Sequence, residues 1–587
     1  MKIIFYIAFV LSFIQAQSQT MLTKIYIEDQ VSASSKIIEG KVLEKRCYRD
    51  AQTHHIYTAN IIEVYKDFYN SSTSELITII TKGGTLGFEM EMVTPSLQLS
   101  VGDTGTFFLQ DTEMKLDGLE ANRAVFKVFS GLQGFYKYDR ALNSVKNPFY
   151  TFSSIDNNFY TTLVSLTNKK PKVLKTLNKT AQKKLSSVAI TSFNPTMVRA
   201  GIGQTVQING TDFGTRIGAV AFENADLGGG LSNFKNVDVE SIISWTETAI
   251  EVAVPSFAGT GKIRVTTDGG SDTFISADDI SIPSAESSAR FDTDNDGNVD
   301  FLSRVNLVGI NNEKGYVWAY NENFNNNIAA TRAFEKSVEE WVCTTGINWT
   351  VALDASDLDI TANDGVNLVR FVSASASNND EIESGTLGVT TSYFSGCQNN
   401  FGQINSYLEG ADMTFNVDVN WNFSEDSPSN VQVDFQGTVT HELGHAHNMG
   451  HVISLGQLMH FDTPIGLSSA TRVVDEDTEI GARMNLDFSR SGVFCPGTNE
   501  ITNKVCDSLS IRGFNYNRDF TIYQENDTLF VRSSIMITKL SIFDINGRVL
   551  MTEANKKELI TSFLSSGVYI LVIEFENGDL EYRKLSF

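Results

Sequence analysis

Apolar and polar positions alternate with period two in four early runs: "IIEGKVLE" (37–44), "IYTANIIEVYKDF" (56–68), "ELITIITKGG" (75–84) and "TGTFFLQ" (104–110). Period two puts successive side chains on opposite faces of a strand, and the glycines between runs mark turns. Residues 19–166 therefore predict a β-rich domain, either a small barrel or a sandwich. Residues 188–283 repeat the pattern, with Pro195, Gly201, Gly210 and Gly214 punctuating short strands and "GKIRVTTDGG" (261–270) closing the unit. The period changes in 304–490. Ala330, Phe334, Val338 and Trp341 recur at helical spacing, and Gly346 is placed to stop that helix. "INWTVAL" (347–353), "TLGVTTSYF" (386–394) and "GADMTFNVDVNWNF" (410–423) read as strands, and Asp434 is placed to cap a second helix starting near Phe435. The last block, 509–587, returns to short strands with an Asn546–Gly547 turn, a small β-sandwich. Lysine-rich 167–187 and residues 491–508 read as linkers.

At 587 residues the chain exceeds what one core supports. Hydrophobic residues at 41% and charged residues at 20% fit a folded protein. A net charge of −24 disfavours nucleic acid and anionic lipid, which need basic surface. At the start, Lys2, the apolar run Ile3–Ile14 and the small residues Ala16–Ser18 form a signal-peptide pattern, expected to end near residue 18. The run is shorter than the ~20 residues a membrane span needs, and no later stretch supplies one. Export permits disulfides. Of the five cysteines, Cys495 and Cys506 could close a small loop, Cys343 and Cys397 could pair, and Cys47 is left over.

Two stretches carry candidate chemistry. In "FDTDNDGNVDF" (291–301), within 284–303, Asp292, Asp294, Asp296, Asn298 and Asp300 alternate around Gly297. Alternating oxygen ligands on a sharp turn suit Ca²⁺, although Ser303 stands where an EF-hand loop ends in a bidentate acid; a plain polar turn is the competing reading. In "HELGHAHNMGH" (441–451) lie four of the chain's seven histidines. His441 and His445, four apart on a helix, are separated by about 40° and ~6 Å of rise, so both rings share one face. Two such rings supply half of a tetrahedral zinc site, and Glu442 beside them is free to hold water. On an unbroken helix His451 would lie ~15 Å from His441 along the axis. It can join only if the chain reverses, and Asn448 is the residue placed to adopt the left-handed conformation required. His447 faces away and is left out.

These eleven residues resemble the zinc motif of metzincin peptidases, H-E-x-x-H-x-x-G-x-x-H, with Asn448 at the glycine position. "LGQLMHF" (455–461) offers Met459 for the methionine turn of that family, and the order of helix, "LGVTTSYF" strand and "GADMTFNVDVNW" is similar to matrixins. The resemblance implies a secreted zinc endopeptidase: Zn²⁺ held by His441, His445 and His451, a zinc-activated water, Glu442 as general base, and Met459 as the floor. It also implies an extended protein or peptide substrate on an edge strand near Leu387–Phe394, and a further structural cation near Asp412 and Asp418, whose competing reading is solvated strand ends. Cys47, in "KRCYRD", departs from the matrixin latency motif. Residues 188–283, through "NGTDFG" (209–214), resemble an IPT/TIG domain, an immunoglobulin-like sandwich. "SSGVYILVIEF" (565–575) and "YRKLSF" (582–587) resemble the C-terminal sorting domain of type IX secretion, without its usual "PNP" opening, which implies the secretion machinery as partner and a secreted or cell-surface location. The fold class expected is multidomain, with an α+β metzincin-like catalytic domain flanked by all-β barrel, sandwich and Ig-like domains. A rival reading is a surface adhesin or glycan-binding protein in which that scaffold is inactive.

Overall fold

The computed structural model describes residues 22–586 except 70–73, 121–122, 141, 177–189, 231–232, 269–272, 375–381, 400–401, 462–471, 493, 507–519, 526–527, 534–535, 545–546, 563, 566 and 577–579. The signal-peptide pattern, most of the lysine-rich linker and Asn546 lie outside the described residues. The chain forms two compact units, Met1–Lys504 and Val505–Phe587.

Within the first unit, Lys36–Arg49 pairs with Ile56–Asp67, which pairs with Leu76–Lys82. The ring continues through Val125–Val128 and Thr104–Asp111 and returns to Lys36–Arg49. The alternating runs thus close a barrel around Ile38, Val42, Ile62, Ile79 and Phe107, all buried. Lys172–Val173 adds a short edge to it. Residues 190–282 form two four-stranded sheets that share one core, with Val206, Ile208, Val220, Phe222, Ile250 and Ile263 fully buried. Such a layer pair is how antiparallel strands with one apolar face each exclude water.

The sheet that positions the histidine motif is mixed and ten-stranded. Four of its strands matter here: β1 (Glu89–Thr94), β2 (Asn367–Val372), β3 (Gly388–Gln398) and β4 (Ile404–Asn416). β4 runs parallel to β2 and antiparallel to β3. Phe301–Gly309, Ser288–Phe291 and Asn499–Glu500 extend the other end. Against the sheet lie α1 (Ile328–Thr345) and α2 (Phe435–Ala446), with α3 (Glu476–Ser491) beside them. α1 starts where the Asn327 side chain accepts from Ala330 N and ends at Gly346, φ 79°. Its predicted stripe is the buried one: Ala330, Phe334, Val338 and Trp341 are each no more than 1% exposed. α2 is capped by Asp434, whose side chain accepts from Gly437 N.

The expected α+β metzincin-like catalytic domain is corrected by this architecture. Among the described residues strands hold 43% and helices 17%, so the chain is a multidomain, all-β-like protein. The sheet is also not assembled from 304–490 alone. β1 comes from the N-terminal region and anneals to β3 from Thr390↔Thr94 to Ser395↔Glu89. That pairing overturns a second expectation: the strand near Leu387–Phe394 is not an open edge for substrate. An open row of amides and carbonyls invites association with other chains, and here the protein covers its own.

The cysteine pairings also differ from those read in the sequence. Cys397, at the end of β3, is bonded to Cys495. Cys343 and Cys506 are disulfide-bonded as well, and Cys47 is a free, buried thiol.

On α1, Glu335 faces Tyr320. Burial pushes its carboxyl up to about 8, opposed by the Tyr320 hydroxyl and the Arg332 charge. An unfolded glutamate titrates near ~4.3. The folded form therefore holds a proton that the unfolded form releases, so its contribution is full below about 4 and is lost as pH rises towards 8. Glu335→Gln is expected to match wild type near pH 4 and to be more stable at pH 8. The gain is on the order of 1–2 kcal/mol once partial exposure is allowed for. Urea unfolding at the two pH values checks it.

The second unit has one three-stranded and one four-stranded sheet around Leu529, Val531, Leu540, Ile542, Leu571 and Ile573. Ile537–Asp544 pairs with Val568–Phe575, and Gly547 takes the positive φ of 78° that its turn needs. No helix among the described residues is long and apolar enough to cross a membrane.

Candidate metal centre

α2 leaves its helical path where the sequence allows. Its backbone ends at Ala446, and Asn448 adopts φ 68°, the left-handed conformation expected of it. The reversal is tied to a neighbouring segment. Asn448 Nδ2 donates to Ser287 O (3.0 Å), Ser287 N donates to Asn448 O (2.9 Å), and Gly450 N donates to Ala285 O (2.8 Å). Val452 N then donates to Met459 O (2.9 Å), so the chain returns beneath the helix.

This reversal brings the three histidines together. One nitrogen from each of His441, His445 and His451 lies within 4.8 Å of the others. The Nδ1 atoms of the two helical rings are each held by a backbone carbonyl: His441 by Leu458 O (2.7 Å) and His445 by Met449 O (2.9 Å). That leaves their Nε2 atoms, 3.1 Å apart, aimed at a common point. Two Zn–N bonds of about 2.0–2.1 Å at a tetrahedral angle separate their nitrogens by about 3.3 Å. His451 Nε2 is buried with no hydrogen-bond partner among the described residues, a costly state that a metal ion would relieve. Burial and the neighbouring rings drive His441 well below its ordinary pKa, and burial, followed by the proximity of the His451 ring, takes His445 down to about 3. Neutral imidazoles are what a metal requires. The donor set therefore fits Zn²⁺.

Glu442, next to the first ligand on α2, reaches β3. Thr390 Oγ1 donates to Glu442 Oε2 (2.5 Å), which fixes the carboxyl. Burial pushes that carboxyl up to about 8, opposed by the Thr390 bond. Its other oxygen, Oε1, is buried and has no partner among the described residues. A Cβ added at Gly388 would stand 3.2 Å from it and 3.1 Å from the Phe415 ring, a crowding that glycine avoids. The centre is closed to bulk solvent, with His441, Glu442, His445 and His451 all no more than 4% exposed.

Met459 is 1% exposed and packs directly under α2. A Cβ at Gly444 would come within 2.2 Å of its sulfur. Gly444, immediately before His445, is thus the gap that seats the methionine. His447 belongs to the core, its ring 5.1 Å from Trp341 and its Nε2 3.3 Å from Thr345 Oγ1. His460 is buried, 4.8 Å from the Phe461 ring.

The acidic loop is only partly drawn together. Carboxylates of Asp292, Asp294 and Asp300 lie within 4.8 Å of one another. Asp296 instead accepts from Asn298 N and Nδ2, closing its own turn. Asp292 accepts from Gly297 N and Asp296 N, and Asp300 from Thr293. Asp412 and Asp418 do not form the cation site read from the resemblance. Asp412 is buried and accepts from Leu368 N, Ala362 N and Tyr393 Oη, while Asp418 accepts from Ser373 Oγ. The Cys47 sulfur lies against Thr58 and Thr85 in the barrel, so it does not reach for the histidines.

Three site residues were missed in the sequence. Thr390 and Gly388 lie within a stretch read as a strand and as a substrate edge, on its small-residue face, and neither was singled out. Asp226, from the sandwich, lies 3.2 Å from His451 Nδ1, and no spacing signal connects residues 225 positions apart.

Comparison with known proteins bears on the C-terminus. Residues 525–585 match the family model described as "Secretion system C-terminal sorting domain", the sorting domain of type IX secretion. The chain is exported. Its destination is the outer-membrane surface or the exterior, and the secretion machinery is a partner. No curated protein matches the chain. Among solved structures, one from Bacteroides thetaiotaomicron VPI-5482, provisionally named a phosphatase, matches at 10% identity, covering 68% of this chain and 85% of that one. Its TM-score of 0.14 carries no argument.

Proposed function

We propose that this exported protein is a zinc-dependent endopeptidase. The observation that carries the reading is the convergence of His441, His445 and His451 beside Glu442, whose Oε1 is buried without a partner among the described residues. The similarity of "HELGHAHNMGH" to the metzincin zinc motif supports the chemistry, although the surrounding sheet is organised differently. Residues 188–283, read as similar to an IPT/TIG module, would serve as part of the scaffold.

His441, His445 and His451 would hold the ion. Zn²⁺ bound there supplies a Lewis acid that polarises a scissile carbonyl and acidifies water. Glu442, held by Thr390 through Oε2, presents Oε1 to take a proton from water and pass it to the leaving amine. The apolar burial around these groups excludes bulk water and strengthens each electrostatic contact.

The purified protein is expected to carry about one equivalent of zinc and, once the closed centre is accessible, to cleave casein. A chelator should abolish the cleavage and added Zn²⁺ restore it. Metal analysis that finds no zinc, with none taken up on addition, would sink the reading.

A further inference from the structure

The three candidate ligands are not held alike. His441 and His445 give Nδ1 to carbonyls of their own loop, but His451 gives it to a side chain 225 positions earlier, Asp226 Oδ1 at 3.2 Å. Asp226 is fixed in turn. It lies in the short turn Ala225–Leu227, which Asn224 caps by accepting from Asp226 N (3.2 Å), and Gly228 ends the turn at φ 73°. This turn is docked on the loop that follows His451. A Cβ at Gly228 would come within 2.4 Å of the Phe461 ring, and one at Gly229 or Gly259 within 2.4 Å or 2.3 Å of Ile453. The Phe461 and Ile453 side chains seat against this part of the sandwich because three glycines leave space for them.

We infer that Asp226 is the positioning residue of the third ligand: by accepting from His451 Nδ1–H it selects the tautomer whose Nε2 lone pair faces His441 and His445. This inference rests on the zinc reading above. The physical basis is general. A neutral imidazole carries its proton on one nitrogen only, so a fixed acceptor at Nδ1 leaves Nε2 unprotonated and orients the ring; losing such a partner costs about 10–100-fold in metal affinity. The orphaned, buried Nε2 of His451 is the atom so prepared. Residues read as a separate sandwich module thereby complete the metal centre.

The test is zinc affinity, by competition with a chromogenic chelator, for the full-length wild type, Asp226→Ala and Asp226→Asn. Asp226→Ala should bind zinc about 10–100-fold more weakly. Asp226→Asn should recover part of that loss, because its amide oxygen still accepts from Nδ1–H. The side chain is 44% exposed, so the metal-free melting temperature should stay at the wild-type value. Equal zinc affinity in wild type and Asp226→Ala would overturn the inference and leave the zinc site standing, as would a lower metal-free melting temperature with unchanged affinity. A wild type that takes up no zinc would refute the zinc reading itself.

Discussion

Glu442→Ala is expected to keep its zinc and lose casein hydrolysis by about 10²–10⁴-fold, the range typical for removal of a positioned general base. Two features separate these effects. Glu442 is not among the converging nitrogens, so the ligand set survives the change. Its carboxyl is buried, with Oε2 on Thr390 and Oε1 open, so truncation removes the proton acceptor and leaves the Thr390 hydroxyl facing a small void. Glu442→Gln gives the sharper comparison, since it preserves volume and the bond from Thr390 but cannot accept a proton. Both variants are to be compared with wild type by metal analysis and by initial rates at matched zinc occupancy. Full activity in Glu442→Gln would remove Glu442 from the mechanism. Loss of zinc from both variants would make it a structural element of the centre.

The second large effect is on stability. Trp341 is fully buried between α1 and α2, 6.3 Å from Trp349 and 5.1 Å from His447, and its Nε1 donates to Thr440 O (2.8 Å). The same interface carries Ser337 Oγ to Gln436 O (3.1 Å) and Thr440 Oγ1 to Ser337 Oγ (2.9 Å). Trp341 is thus the large apolar element holding the metal-bearing helix to its neighbour. Trp341→Ala is expected to destabilise the first unit by about 3–5 kcal/mol, from lost burial and a residual cavity. Trp341→Phe keeps most of the volume and should cost about 1–2 kcal/mol, chiefly by stranding the Thr440 carbonyl. Denaturant unfolding of the full chain measures both. Similar losses in the two variants would mean that the hydrogen bond, and not the packing, secures α2.

Local features of this protein were legible in its sequence. The α1 stripe, its Gly346 stop, the Asp434 cap and the left-handed Asn448 each depend on residues within a few positions, where steric rules act directly. The same locality made the histidine cluster readable, because a helix and one turn suffice to assemble it. What could not be read was long-range pairing. Nothing in "EMEMVT" (89–94) marks it as the partner of residues nearly 300 positions away, since any alternating strand offers the same amides. The expected fold class failed there: it took the sheet to be built within one block, whereas three segments outside 304–490 contribute strands. The bond between Cys397 and Cys495 was likewise set by which strand ends meet, not by cysteine spacing.

The annealing of β1 to β3 also bears on when such a centre could work. A foreign polypeptide can reach the amides of residues 390–395 only after residues 89–94 have peeled away from them. On the zinc reading, the buried histidines and this covered strand would together describe a shut state. Displacement of that six-residue segment, which is also paired with residues 84–86, would on the same reading be the step that opens this strand to a substrate.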